Sequence, residues 1–178
     1  MDDSVIVINI KRARSALSIL KNKKVALISR SLDLVEICFE NVYFIMEDNM
    51  AEIMRQERTV SYILHLQCPF VIQQENSIVL ESDDVYEVTD SMFHQASETH
   101  RQGNLFDEKL IQNRGTLYGS QVSKVSLNCD TLRIELNNDL TIQIGLCDDP
   151  NEESWRFFKL DDVSPHLIAY RNRFEIVD

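Results

Sequence analysis

Four histidines, four cysteines and two runs of carboxylates are the side chains here that could do chemistry. A metal site, an acid–base pair or an activated nucleophile needs such groups at defined spacings. His94 and His100 are six residues apart, not the three or four that put two side chains on one helical face. His65 lies between Leu64 and Leu66 and reads as a strand histidine with a structural hydrogen bond. His166 follows Pro165 at a strand start, a structural or turn position. Cys38, Cys68, Cys129 and Cys147 are far apart, and none is in a CxxC pair. Zinc fingers and redox motifs need close pairs, so four reduced, mostly buried thiols and a cytoplasmic location are expected. No serine occupies a GxSxG elbow, and there is no Walker loop or GxGxxG, the patterns that activate a nucleophile or cradle phosphate. The expectation is a non-enzyme with no catalytic residue, metal or cofactor.

The carboxylates are Glu81, Asp83, Asp84, Glu87 and Asp90, then Asp148, Asp149, Glu152 and Glu153. Both runs fall in turn-like, solvated stretches. The net charge is −11 and uneven. Lys11 to Arg30 holds seven of the 18 basic residues and none of the 29 acids, so 11 basic residues face all 29 acids elsewhere. Such a surface repels nucleic acid and attracts basic partners. The basic segment 11–30 leaves a second reading open, a housekeeping protein that binds a small molecule or nucleic acid there. Met1-Asp2-Asp3 is acidic where a secretory leader is basic. No apolar run approaches the roughly 20 residues of a membrane helix, so no membrane partner is expected.

The elements that must position these groups follow from periodicity. At 178 residues and 44% hydrophobic, the chain is long enough to bury a core without disulfides. Ser4 is placed to cap a helix with Ile6, Ile10, Ala13, Leu17 and Leu20 on one face. Strand-like runs follow at 24–30, 34–40 and 42–47, whereas 49–58 fits a short helix or a loop. Residues 60–74 read as one strand interrupted by Pro69, with 76–82 returning as a hairpin. Asp90 to Gly103 and Asn104 to Gly115 each run from a cap to a stop and predict two helices. A helix-turn-helix DNA reader needs a basic footprint, but 90–115 carries four acids against three bases. Strands resume at 121–128, 131–137, 140–146, 155–160, 166–170 and 173–177. A shift of 97 residues aligns Val25 with Val122, Ser29 with Ser126, Asp33 with Asp130 and Asn41 with Asn138. It also pairs Val35 with Leu132, Ile37 with Ile134 and Ile45 with Ile142, a possible internal duplication. The expected fold is α+β and one compact domain: an N-terminal helix (1–22), a first antiparallel β-meander (23–82), a two-helix insertion (83–119) and a second β-meander (120–178).

Two stretches carry a resemblance. "LHLQCPFVIQQENSIVLESDD" (64–84) and "LRIELNNDLTIQIGLCDDPNEESWRFFK" with "SPHLIAY" resemble small bacterial proteins of the immunity type, from polymorphic or contact-dependent toxin systems. There a Leu-His strand leads to Gln-Cys-Pro-aromatic, and the chain closes on Glu-x-Trp-Arg-aromatic-Phe followed by Pro-His. The resemblance covers 64–84 and 120–170. It departs at Phe70-Val71, where relatives are expected to carry Trp-Arg, and at Glu81, where they carry glycine. It implies a protein that binds and neutralises a cognate toxin, a nuclease being one candidate, through the acids named above. Trp155 itself reads as a core anchor whose indole N–H wants a partner. Arg156 points to the opposite face and could pair with Glu135 or Asp162. With His166, these residues read as a scaffold motif rather than as the partner contact.

Overall fold

The computed structural model describes residues 5–40, 42–45, 55–58, 61–88, 104–160 and 164–178. The first described residues form a strand, not the helix expected from residue 4 onward. Val5–Ile8 forms β1, because four consecutive β-branched residues lose rotamer freedom in a helix and pack well on a pleat. Ser4 lies outside the described residues. Asn9 is the true cap: its side chain accepts from Arg12 N at 3.0 Å, a free donor at every helix start. The helix, α1 (Ile10–Leu17), continues into a 3-10 turn, Ser18–Leu20, and buries Ala13, Leu17 and Leu20 completely.

Further along the chain lie β2 (Lys24–Ser31), β3 (Leu34–Glu40), β4 (Val42–Ile45), β5 (Arg55–Arg58), β6 (Tyr62–Leu66), β7 (Phe70–Gln74) and β8 (Ser77–Glu81). A 3-10 turn, Ser82–Val85, leads toward α2 (Leu105–Leu117). The rest is β9 (Val122–Leu127), β10 (Leu132–Leu136), β11 (Leu140–Ile144), β12 (Trp155–Lys159), β13 (His166–Ala169) and β14 (Phe174–Val177). The fold is α+β with antiparallel sheets, as expected. No helix among the described residues is long and apolar enough to cross a membrane.

The strand order could not be read from the sequence. One sheet has seven strands in the order β1-β14-β13-β12-β6-β3-β2, and another has five, β8-β7-β11-β10-β9. Strands β4 and β5 pair with each other. Residues 23–82 thus supply β2, β3 and β6 to the large sheet and β7 and β8 to the small one. Residues 120–178 likewise supply β9–β11 to the small sheet and β12–β14 to the large one. The two expected meanders interlock rather than standing side by side. Alternation works as read: Val35, Ile37 and Phe39 from β3, and Leu132, Ile134 and Leu136 from β10, enter one core with Leu17 and Phe106 of the helices.

The hairpins aligned by the 97-residue shift, β2–β3 and β9–β10, each end a sheet, and their edges meet. Val25 N donates to Ser120 O at 2.9 Å, and Val122 N to Lys23 O at 2.8 Å. The third echoed strand diverges, because β4 pairs with β5 whereas β11 pairs with β10 and β7.

Pro69 does not interrupt a strand; it marks the passage of the chain from the large sheet to the small one. The return passage, 145–154, runs beside it. Gly145 N donates to Pro69 O at 2.8 Å, and Gln67 N to Ser154 O at 2.9 Å. A Cβ on Gly145 would lie 3.3 Å from Pro69 O, so this approach favours glycine. In the insertion, α2 starts at the expected cap, with Asn104 Oδ1 accepting from Asp107 N at 3.1 Å. It runs through Gly115 to Leu117, and the left-handed residue is Gly119, with φ 84°. The expected helix over 90–103 lies outside the described residues.

Candidate functional site

Strand β12 alternates as the sequence requires. Trp155 is fully buried and packs on Phe174, with ring centroids 6.1 Å apart. Its Nε1 has no hydrogen-bond partner among the described residues, contrary to the expectation of one. Arg156 points to the other face. It does not pair with Glu135, which sits in the small sheet beside Arg133 and Lys124; Asp162, the other expected partner, lies outside the described residues. Its partner is Glu153, which takes Nε at 2.9 Å and Nη2 at 2.7 Å. Three residues back along an irregular approach to the strand, Glu153 can present both oxygens to the planar guanidinium.

Sheet register then builds a polar row. Glu36, His65 and Arg156 are neighbours across β3, β6 and β12. His65 Nε2 lies 3.0 Å from Glu36 Oε1, while Ser29 donates to the other carboxylate oxygen at 3.2 Å. Arg156 Nη1 lies 3.4 Å from His166 Nδ1. Since guanidinium only donates, Nδ1 accepts and His166 carries its proton on Nε2. Burial, and then the Arg156 charge, hold the His166 pKa below its ordinary value. Both rings bracket Phe158, His166 stacked at 4.5 Å and His65 edge-on at 4.9 Å. An open cleft of about 260 Å³ lies here, lined by Leu34, His65, Gln67, Glu153, Arg156, Phe158 and His166. Sequence reading took His65 and His166 singly; only register brings them to one phenylalanine.

The first acidic run sorts by burial. Asp84 is buried: Oδ1 meets Lys109 Nζ of α2 at 2.6 Å, and Oδ2 accepts from Glu81 N at 2.9 Å. Glu81 returns the capping bond through its side chain. As partner-contacting surface Asp84 is therefore corrected, because its burial and its two bonds hold the turn together; Glu81 is half-buried. Asp83 and Glu87 are exposed, and Asp90 lies outside the described residues. Helix α2 holds the segment in place, with Leu105 N donating to Glu87 O at 2.9 Å and Asn104 Nδ2 to Val85 O.

The second run lies on the return passage. Asp148 is exposed and meets Arg171 at 3.0 Å, Asp149 accepts from Asn151 N at 2.8 Å, and Glu152 is exposed. Glu153 turns inward to Arg156. The passages join the two runs: Cys147 Sγ donates to Gln67 O at 3.2 Å, and Gln67 lines both the polar cleft and a second one. That second cleft, about 220 Å³, is lined by Leu66, Cys68, Phe70, Ser82 and Val85 together with the exposed Asp33, Gln67, Pro69, Asp83 and Tyr86.

Asp33 was missed by sequence reasoning because it is a lone acid in the β2–β3 turn. Beside it Leu32 is 83% exposed at φ 57°, backbone that a branched side chain seldom adopts. Tyr86 is 72% and Val88 68% exposed. The nearby cations are used: Arg30 pairs with Asp107 at 2.6 Å, and Lys109 with Asp84. Among the described residues, Asp33 and Asp83 form no ion pair.

No family model matches this chain, and neither does any curated protein or solved structure.

The basic segment is spread out. Arg14 donates to Leu127 O at 2.7 Å, Lys23 lies 5.7 Å over the Tyr62 ring, and Arg30 is taken by Asp107. The four cysteines are free thiols: Cys38 and Cys68 buried, Cys147 half-buried and Cys129 exposed. Burial, with Cys147 second, pushes the Cys68 thiol up to about 12.

Proposed function

We propose that this chain is a non-enzymatic immunity-type protein that binds and neutralises a basic toxin at its acidic end. One observation carries the reading. Asp83 from the first carboxylate run and Asp148, Asp149 and Glu152 from the second, distant in sequence, are exposed beside adjoining passages between the sheets, where Leu32 and Tyr86 are also exposed. Exposed apolar and aromatic side chains framed by charge are how an interface anchors and orients a partner. The acids attract a basic groove from a distance, and the apolar side chains lose water on contact. A nuclease groove built for phosphate suits such a surface, because carboxylates replace the phosphates and occlude the site. No chemical step is required.

The test pairs the protein with toxins encoded beside its gene. Association is followed by stopped flow as salt rises, together with protection of cells expressing the toxin. Steered association runs up to about a hundredfold or more above the unsteered rate at low salt, and screening over about 10 Å at 0.1 M removes that advantage. Asp33→Lys with Asp83→Lys, and separately Asp148→Lys with Asp149→Lys, should slow association and weaken protection. If neither pair changes rate or protection, the acidic end is not the interface.

A further inference from the structure

We propose that the 220 Å³ cleft under the Gln67–Pro69 passage is a socket for one arginine side chain of the partner. The inference rests on the acidic-end reading and makes it specific. The lining mixes polar groups with apolar side chains, Leu66, Pro69, Phe70 and Val85 among them, and the exposed Asp33 and Asp83 border the same cleft. They come from different elements, the β2–β3 turn and the 3-10 turn after β8. A long basic side chain suits this layout, burying its methylenes while its charged head stays near water and carboxylate. The neighbouring acids that have structural work, Asp84 and Asp107, are each matched by a cation. Asp33 and Asp83 form no ion pair among the described residues.

Arginine fits better than lysine for two reasons. Its planar fork offers five donors, enough for two carboxylates and the Gln67 side chain. It also stacks on aromatic faces, and the exposed Tyr86 borders the cleft. The walls are held before any partner arrives. The 82–88 segment is tied to α2 through Asp84–Lys109, Val85–Asn104 and Glu87–Leu105, and the Gln67–Pro69 passage is held by the Pro69–Gly145 and Gln67–Ser154 bonds. Such preorganisation lowers the ordering cost of binding.

The full chain is titrated with acetyl-arginine-N-methylamide and followed by amide NMR. Acetyl-citrulline-N-methylamide, the neutral isostere, and acetyl-lysine-N-methylamide serve as comparisons. The expected result is saturable, millimolar binding of the arginine probe, with shifts confined to Asp33, Leu66–Phe70 and Ser82–Tyr86. Asp33→Asn and Asp83→Asn, both exposed positions, should each weaken it about two- to fivefold, as loss of one partly solvated charge pair does. Asp149→Asn should leave it unchanged, and the lysine probe should bind more weakly. Equal shifts from citrulline would overturn the proposal, as would lysine binding as tightly as arginine. So would shifts that never saturate and ignore both asparagine variants. Those failures would leave the acidic-end reading standing if the charge reversals still slow toxin association. A toxin association indifferent to salt and charge reversal would sink that reading itself.

Discussion

Asp83 and Asp84 are adjacent acids with opposite assignments, and mutating each alone tests the logic of the whole acidic end. Asp84→Ala deletes the 2.6 Å contact to Lys109 and the 2.9 Å bond from Glu81 N. Breaking a buried ion pair costs about 3–5 kcal/mol, and a hydrogen bond to a charged group contributes about 1.5–3 kcal/mol. These overlap, and the Lys109 side chain, 26% exposed against 3% for Asp84, regains part of its hydration. The expected loss is therefore about 2–4 kcal/mol. Asp84→Asn keeps an acceptor for Glu81 N and should lose less. Asp83→Ala removes an exposed carboxylate and should stay within about 0.5 kcal/mol of the parent. Urea unfolding reads the difference: at a slope of about 2 kcal/mol per M, Asp84→Ala lowers the midpoint by about 1–2 M. Adding Lys109→Met completes a double-mutant cycle, and coupling above about 1 kcal/mol is expected for groups in contact. If Asp83→Ala and Asp84→Ala unfold at the same midpoint, the buried pair does not anchor the 82–88 segment, and the division between structural and presented acids fails.

Trp155→Ala should cost about 3–5 kcal/mol, as large-to-small core changes do. Trp155→Phe should cost much less, because Nε1 makes no hydrogen bond to lose among the described residues; native emission that is red-shifted and quenchable would refute the buried position. Under denaturing, non-reducing conditions a thiol reagent should titrate four cysteines. In the native state at pH 8, the exposed Cys129 should react first and the buried Cys68, held up to about 12, far more slowly; rapid native modification of Cys68 would contradict its burial. The His166 pKa is lowered by burial and by Arg156, so folding favours its neutral form. That contribution is present above about 6.5, the unfolded value, and is lost as pH falls below it. His166→Gln should make unfolding midpoints less sensitive to pH below 6.5, and an NMR titration placing His166 at or above 6.5 would refute the assignment.

Local patterns stood plain in the sequence wherever the physics is local. Alternation in 34–40 and 131–137 named the buried faces of β3 and β10, because side chains alternate across a strand whatever it pairs with. Asn104 was legible as a cap because capping involves residues three apart. Trp155 and Arg156 were assigned to opposite faces of β12 for the same reason as the strands. The N-terminus was misjudged because a 3.6-residue pattern over 6–20 outweighed the strand preference of Val5 to Ile8. Pairing was not legible. A period of two tells which face is buried and nothing of which strand lies alongside, so Pro69 looked like a break and proved to be a passage between sheets. The acids were countable in the sequence but not sortable. Whether a carboxylate is buried against Lys109 or exposed beside a cleft depends on α2, 25 residues further on. His65 joined His166 only when β6, β12 and β13 paired side by side in one sheet, and Asp33 joined Asp83 only when the two sheets closed over one core, because hydrophobic burial acts on the whole chain and settles which distant turns end up as neighbours.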